Sequence, residues 1–184
     1  SYSGEAWPAG ACRIHGSNRS SGTVNVIIRH TGSNAMHLLL KENAVIQTLE
    51  YPQAPGNSDY REESRLFPPA GILYLEIAFE DSNNDRVIDE LDDLGAYLSD
   101  IDGKNLARIT PGLSRVLEKS YDRNRDLLIL RILSDTNNDL ILDTQDKPSL
   151  IEVNVTQRKI LREVLNSQSL SSLMQQAEPK RSGK

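Results

Sequence analysis

The sequence predicts an all-β protein built from repeated antiparallel units of about four strands each. Three observations support this fold class. A twelve-residue acidic motif occurs twice, first from Asp81 and again from Asp135, 54 positions later. The same spacing also preserves apolar positions around the motif, which indicates a duplicated supersecondary unit. Between the motifs lie short β-branched or alternating runs separated by turn residues, as expected for strands.

The repeat defines the expected organisation of the chain. Both copies follow the pattern Asp-x-Asn-Asn-Asp-x-x-x-Asp-x-x-Asp, and the offset places Leu73 on Leu127 and Arg108 on Arg162 without a gap. We therefore expect one domain over 1–184, with repeat units at about 23–65, 66–111 and 112–166 and a tail at 167–184.

The N-terminal third is expected to form an arm followed by three strands. Residues 1–22 are rich in Gly, Ser, Pro and Ala, and within them only 11–15 resemble a short strand. The β-branched run 23–29 is the first clear strand, followed by strands at 36–40 and 44–51 after short turns. A Pro-containing, charged stretch then connects to the first repeat.

Each repeat is expected to hold a strand, the acidic loop, a second strand and a return strand. The predicted strands are 72–79, 95–101, 106–110, 127–133, 149–155 and 159–164. Asp102-Gly103 predicts a hairpin turn, since glycine accepts positive φ. Helix is the competing interpretation for 91–97 and 158–165, but Gly95, Gly103 and Pro148 in the aligned segments disfavour it. Leu170, Leu173 and Met174 have helical spacing in the tail, and 178–184 are expected to be disordered.

Composition excludes several classes of protein. The chain has 184 residues, 38% apolar content and a formal charge of −5, so it can bury a core and lacks the charge of a nucleic-acid binder. No apolar run is long enough to cross a bilayer. Cys12 is the one cysteine, which excludes an internal disulfide and a cysteine-based zinc site. A start at Ser1 fits a removed signal peptide or a longer parent protein.

The acidic motif has the donor spacing of a calcium loop. Oxygen ligands at positions 1, 3, 5, 9 and 12 of a twelve-residue loop, with the carbonyl of position 7, surround Ca²⁺ in EF-hand loops. The predicted ligands are Asp81, Asn83, Asp85, Val87 (carbonyl), Asp89 and Asp92 in the first copy, and Asp135, Asn137, Asp139, Ile141 (carbonyl), Asp143 and Asp146 in the second. Two structural Ca²⁺ sites are therefore expected.

Electrostatics gives this prediction a physical basis. Close carboxylates repel each other by about 1 kcal/mol per pair at the surface, and a divalent cation removes that repulsion. Oxygen donors without His or Cys favour Ca²⁺ or Mg²⁺, and their number and flexibility favour Ca²⁺. Position 6, normally Gly, is Arg86 or Leu140, and position 12 is Asp instead of Glu. The alternative is that both loops are solvated hairpin tips without metal.

Other chemistry-bearing residues show weaker patterns. His15, His30 and His37 lie in one stretch but have neither metal spacing nor an acid/base partner, so ordinary histidines are expected. Arg108 and Arg162 are equivalent in the repeat and are expected to be structural charges. The sequence contains no nucleophile elbow and no phosphate-binding glycine loop.

One segment resembles a known family. The run 98–110, Leu-Ser-Asp-Ile-Asp-Gly-Lys-Asn-Leu-Ala-Arg-Ile-Thr, is similar to the inner hairpin of a TolB-type β-propeller blade, and 67–73 resemble the turn that opens such blades. The resemblance covers about 66–165. It implies four-stranded blades and a binding, non-catalytic role in the bacterial envelope. Two or three units are too few for an ordinary closed ring, so an open or incomplete array and a β-sandwich are both retained.

These observations lead to two functional hypotheses. The first is a calcium-binding, non-catalytic interaction or scaffold module located in the periplasm or outside the cell, with a protein or glycan partner. An exposed blade edge would also allow pairing between copies. The second is a hydrolase or carbohydrate-active protein that uses the loop carboxylates for acid/base chemistry. Duplication of the acids at metal-ligand spacing favours the first hypothesis.

Overall fold

The structure, a computed structural model, describes residues 12–19, 22–30, 32–52 and 67–165. The described residues form antiparallel β-structure and contain no helix, hence none that could span a membrane. The strands are β1 (Cys12–Arg19), β2 (Gly22–His30), β3 (Met36–Leu38), β4 (Val45–Glu50), β5 (Ile72–Ala78), β6 (Gly95–Asp100), β7 (Ala107–Arg108), β8 (Ser114–Asp122), β9 (Leu127–Ser134), β10 (Lys147–Asn154) and β11 (Lys159–Leu165).

The first three strands form the N-terminal group. β1 and β2 make an antiparallel hairpin, and β3 pairs with the opposite edge of β2. Along β2 the side chains alternate, so that Val26 and Ile28 are buried while Ile27 is exposed. A single bridge between Thr23 and Ile46 joins this group to β4 and extends the sheet to seven strands.

Strands β4 to β7 form the first repeat unit, and β5 lies at its centre. β4 and β6 pair with the two edges of β5, and β7 pairs with β6. Because side chains alternate along a strand, β5 contributes to two cores. Leu73 and Ile77 pack against the N-terminal group, whereas Tyr74 packs against the second repeat unit.

Strands β8 to β11 form the second unit, a separate four-stranded meander. Its buried residues Leu128, Leu130 and Ile132 pack on Leu98 and Ile109 of the first unit. Within the described residues, the first unit thus packs between the N-terminal group and the second unit. Within the described ranges, neither sheet closes on itself.

The all-β, antiparallel prediction is confirmed. The helical alternatives at 91–97 and 158–165 are wrong, because residues 91–94 form a turn that leads into β6 and residues 159–165 form β11. Three features differ from expectation. β1 runs to Arg19 through residues expected to be arm or loop, because residues 16–19 pair with β2. β8 has no counterpart among the predicted strands, and β4, from the unit expected at 23–65, pairs with β5 as the outer strand of the first repeat. In sequence, residues 51–71 lie between β4 and β5, and residues 123–126 lie between β8 and β9. The tail and the first residues lie outside the described ranges.

Candidate metal centre

The two acidic motifs occupy equivalent places in the fold. The first lies in the connection 79–94 between β5 and β6, and the second in the connection 135–146 between β9 and β10. In each unit these are the second and third of its four strands, although the first unit belongs to the seven-stranded sheet and the second forms a four-stranded sheet of its own. The repeated sequence therefore forms the same hairpin connection twice.

The first loop is folded by its own polar side chains. The position-1 carboxylate of Asp81 accepts the backbone N–H of Arg86 at 2.7 Å. Asn83 Oδ1 accepts the N–H of Asp85 at 2.9 Å, and Asp85 Oδ1 accepts that of Val87 at 2.8 Å. These are turns in which a side-chain oxygen caps a nearby backbone donor, as Asp and Asn favour.

The second loop repeats all three contacts. Asp135 Oδ2 accepts the N–H of Leu140 at 3.0 Å, Asn137 Oδ1 accepts that of Asp139 at 3.1 Å, and Asp139 Oδ1 accepts that of Ile141 at 2.9 Å. Positions 1, 3 and 5 thus turn the chain in the same way in both copies. The side-chain oxygens at these three positions therefore have the same conformational role in both loops.

The position-12 aspartate closes the first loop. Asp92 is only 1% exposed, and its two oxygens bind opposite ends of the motif. Oδ1 accepts the N–H of Ser82 at 2.7 Å, and Oδ2 accepts the N–H of Asp89 at 2.8 Å. The Ser82 hydroxyl also donates to Oδ1 at 3.2 Å. Asp92 therefore joins the start of the loop to its end.

Asp146 closes the second loop in the same way. Oδ1 accepts the N–H of Thr136 at 2.8 Å and its hydroxyl at 3.1 Å, while Oδ2 accepts the N–H of Asp143 at 3.1 Å. These hydrogen bonds, the one from the Thr136 N–H foremost, hold the pKa of Asp146 below its usual value. The role of position 2 was not predicted from the sequence, although a hydroxyl residue stands there in both copies, Ser82 and Thr136, and is a signal for it.

The backbone is strained at the same positions in both loops. Asn84 and Asn138 at position 4 have φ of 62° and 61°, and Arg86 and Leu140 at position 6 have φ of 76° and 65°. Asn tolerates this left-handed region, but a long or branched side chain is disfavoured there by about 1–2 kcal/mol. Both copies thus reproduce the sharp turn that calcium loops make with glycine at position 6.

The predicted ligands of each site lie within one twelve-residue loop, but their carboxylates do not converge on one point. Among the described residues, no three His, Cys, Asp or Glu side chains are grouped as a metal site. Asp85 and Asp139 at position 5 are exposed, as are Val87 and Ile141, whose carbonyls complete the predicted sets. A carboxylate oxygen has two lone pairs, so a hydrogen bond to one N–H leaves a further acceptor direction.

The two arginines make structural ion pairs, as expected. Arg108 donates two parallel hydrogen bonds to Asp93, of 2.8 and 2.7 Å. Arg162 donates to Glu152 at 2.8 Å. The equivalent arginines therefore have different partners, and the Arg108 pair lies directly after the first loop. No sequence pattern points to Asp93 as the partner of Arg108, because the pairing depends on how the first loop ends.

A groove of about 1100 Å³ lies between the β2–β3 hairpin and the turn after β6. His30 and His37 stack on one side with ring centroids 5.3 Å apart, and Phe79 and Tyr97 meet edge to face. His37 Nε2 lies 2.7 Å from the carbonyl oxygen of Asp102. This contact gives His37 a structural partner. The side chain of His15 lies outside the described residues.

Comparisons with known proteins leave the family open. A scan against protein-family models finds no match, and searches of curated proteins and of solved structures find no similar protein. The class that fold and site define is an all-β protein with two equivalent acidic hairpin loops.

Proposed function

We propose that the protein is a calcium-binding, non-catalytic interaction or scaffold module with one Ca²⁺ site in each acidic loop. The observation that carries the proposal is the shared conformation of position 6. Arg86 and Leu140 have different side chains, yet both have an unfavourable positive φ. Such strain persists where the surroundings require it, and ligand-binding loops are a common location.

The donor set fits a hard cation. The first site would use Asp81, Asn83, Asp85, the carbonyl of Val87, Asp89 and Asp92, and the second the equivalent Asp135, Asn137, Asp139, Ile141, Asp143 and Asp146. All donors are oxygens, which suits Ca²⁺ and excludes a zinc-type site. Binding requires the exposed position-5 carboxylates to rotate toward the loop centre, a change that surface side chains make readily. We expect weak affinity, with Kd of about 10⁻⁴–10⁻³ M.

The ion would have a structural role. The loops connect central strands of each sheet, so a bound ion would fix the ends of β5 and β6 and of β9 and β10. A ligand that binds only the folded state stabilises it by an amount that grows with its excess over Kd. Millimolar calcium outside the cytoplasm would suffice, which favours a periplasmic or extracellular location.

The two units are proposed to be propeller-like blades in an open or incomplete array. Support comes from their four-stranded antiparallel order and from packing face to face around Tyr74, Leu98 and Leu130. This arrangement agrees with the resemblance to TolB-type blades, and it suggests an interaction role with a protein or glycan partner.

A catalytic role for the loops is less well supported. Acid/base catalysis needs carboxylates that are free to exchange protons with a substrate. Here Asp81, Asp85 and Asp92 accept hydrogen bonds from loop N–H groups, and the second loop repeats the pattern. Two sets of acids, each hydrogen-bonded to the backbone of its own loop, fit two ion sites better than one active site.

The proposal is tested by thermal unfolding of metal-stripped protein with CaCl₂ and, as control, MgCl₂. We expect CaCl₂ at 5 mM to raise Tm by several degrees and MgCl₂ to have little effect, because Mg²⁺ demands a tighter octahedral shell. The double variant Asp85→Ala/Asp139→Ala should lose the calcium shift. If neither ion changes Tm of the wild-type protein, the loops are solvated turns and the calcium proposal fails.

A further inference from the structure

The groove between the β2–β3 hairpin and the turn after β6 has walls that the fold itself holds together. Gly103 in that turn has φ of 78°, and a Cβ on it would lie 2.6 Å from Leu39 Cδ1, so the turn packs tightly against the chain after β3. A carbonyl oxygen can only accept, so His37 Nε2 donates to the Asp102 carbonyl, at 2.7 Å. Because these contacts fix the walls, a ligand does not have to order them.

Rings from two parts of the chain line the groove. Phe79 and Tyr97 are half-buried, pack against the core that holds the N-terminal group, and have ring centroids 5.5 Å apart. His30 and His37 on the β2–β3 hairpin are stacked with 25° between their planes. Such rings give a large, rigid contact area at a small entropic cost. The C–H groups on the face of a pyranose ring pack on surfaces of this kind while its hydroxyls stay at the rim.

The polar groups of the groove include planar groups held in fixed orientations. The guanidinium of Arg108 donates two hydrogen bonds to Asp93 and two to backbone carbonyls, which accounts for four of its five N–H groups. Asn105 Nδ2 donates to Asp100 at 2.6 Å, which orients the amide and leaves its Oδ1 as an acceptor. Neighbouring hydroxyls of a sugar both donate and accept, so they match a set of fixed donors and acceptors.

The charges that line the groove nearly cancel. Three cationic side chains and four carboxylates line it, with the histidines counted as neutral. Arg108 pairs with Asp93 and Lys104 with Asp102, both at 2.7 Å. A phosphate or another strongly charged ligand would need an excess of one sign, and a lipid tail would remove water from these charges at a high cost. The lining therefore suits an uncharged polar ligand.

The volume of the groove, about 1100 Å³, exceeds the roughly 300–1000 Å³ of sites for single small molecules, so an oligomer fits it better. We infer that the groove binds an uncharged oligosaccharide, with sugar rings against Tyr97 and His37 and hydroxyls bonded to Arg108, Asp93 and Asn105. The inference rests on the proposed interaction role, whose partner it names as a glycan, and it does not depend on ions in the acidic loops.

The test is a titration followed by ¹H–¹⁵N NMR, in CaCl₂ and again in EDTA, with cellotetraose, maltotetraose, mannotetraose and N-acetylchitotetraose. We expect at least one of these neutral tetrasaccharides to shift the amides of 38–42 and 103–106 saturably, with Kd of about 1 mM or below. The amides of β11, which lies outside the groove, should not shift. Anionic tetragalacturonate and a cationic chitosan tetramer should bind about tenfold more weakly, because the groove has no excess charge to offset theirs.

Ring variants locate the site. Tyr97→Leu removes a ring from the groove but keeps an apolar side chain on the core, so it should weaken binding about tenfold. Tyr121→Leu is the matched control, because Tyr121 is a half-buried tyrosine that packs on the other core, between the two units, and its loss should leave the affinity unchanged. His37→Ala, at an exposed position, should also weaken binding and serves if Tyr97→Leu does not fold.

The outcomes separate this inference from the proposed function. If no neutral tetrasaccharide shifts the groove amides in either buffer, or if a mixture of random hexapeptides shifts them instead, the glycan site is overturned. A rise of Tm with CaCl₂ in the same sample then leaves the calcium proposal standing. Binding that is equal in Tyr97→Leu, His37→Ala and Tyr121→Leu also overturns the site. Cleavage of a bound tetrasaccharide, seen as new anomeric signals, supports the site but overturns the non-catalytic role.

Discussion

At the residue scale, the aspartates of the loops divide into two kinds. Asp92 and Asp146 are buried and accept hydrogen bonds from both ends of their loops. The position-5 residues Asp85 and Asp139 are exposed and cap a single turn. The first kind should stabilise the loop with or without calcium, whereas the second should matter mainly for the ion.

Substitution of the closing aspartate tests this division. Asp92→Asn replaces an acceptor oxygen with a donor amide facing N–H groups, so we expect a loss of about 1–3 kcal/mol in the free energy of unfolding. The loss should already appear in EDTA when urea unfolding is measured, and it should be larger in calcium because Asp92 is also a proposed ligand. Asp85→Ala is the matched control, expected to change stability in EDTA by less than about 0.5 kcal/mol.

The strained turn at position 6 gives a second prediction. Leu140 is 66% exposed, so removal of its side chain loses little packing. Leu140→Gly relieves the left-handed strain and should raise stability by up to about 1 kcal/mol, after allowance for the greater entropy of glycine in the unfolded chain. Leu140→Ala keeps the Cβ and the strain. Equal Tm values for the two variants would contradict the strain argument.

At the element scale, ion pairs and hydrogen bonds within the loops and hairpins make their stability depend on pH. Ion pairs and hydrogen bonds hold the pKa values of Asp102, Asp146 and Glu152 below their usual range, chiefly through Lys104, the N–H of Thr136 and Arg162. Each group binds its proton less readily when folded than when unfolded. The stability they contribute is therefore present at neutral pH and is lost in acid.

The pH dependence follows from that sign. Starting from ordinary values of 4.5 for Glu152 and 3.8 for both aspartates, we expect Tm to fall once the pH drops below about 4.5. The fall should continue until the lowered folded pKa values are passed. Thermal melts in EDTA from pH 7 to 2.5 measure it. Asp146→Asn should give a shallower acid limb, and a limb parallel to that of the wild-type protein would argue against this role.

The elements also show what the sequence could predict. Alternation and β-branched runs predicted β2, β5 and β9. The duplicated motif predicted both acidic loops and their equivalent positions between strands of the two units. β8 was missed because its charged residues, the exposed Glu118 and the half-buried Lys119, interrupt the apolar alternation, as is common on an edge strand. The closing role of Asp92 was also out of reach, since its partners depend on how the loop folds.

At the scale of the whole molecule, the first unit is the central layer. β5 sends Leu73 and Ile77 to one core and Tyr74 to the other. The Tyr74 hydroxyl donates to Glu76, and the ammonium of Lys119 on β8 lies over its ring, 4.8 Å from the centroid. Packing between layers therefore joins the repeats into one structure, and their unfolding should be coupled.

A core substitution tests that coupling. Leu130 on β9 is fully buried between the two units, so Leu130→Ala should cost about 2–5 kcal/mol through lost burial and a cavity. We expect calorimetry to show one transition at lower temperature, with fluorescence and circular dichroism midpoints coinciding. Two separated transitions, with one unchanged, would mean that the units fold independently.

The central claim, two calcium sites in two equivalent loops, is tested most directly by equilibrium dialysis with ⁴⁵Ca²⁺ at millimolar ion concentration. We expect two ions bound per chain in the wild-type protein, one ion in Asp85→Ala or Asp139→Ala, and none in the double variant. Fewer than one ion bound by the wild-type protein, or a stoichiometry that these substitutions leave unchanged, would contradict it.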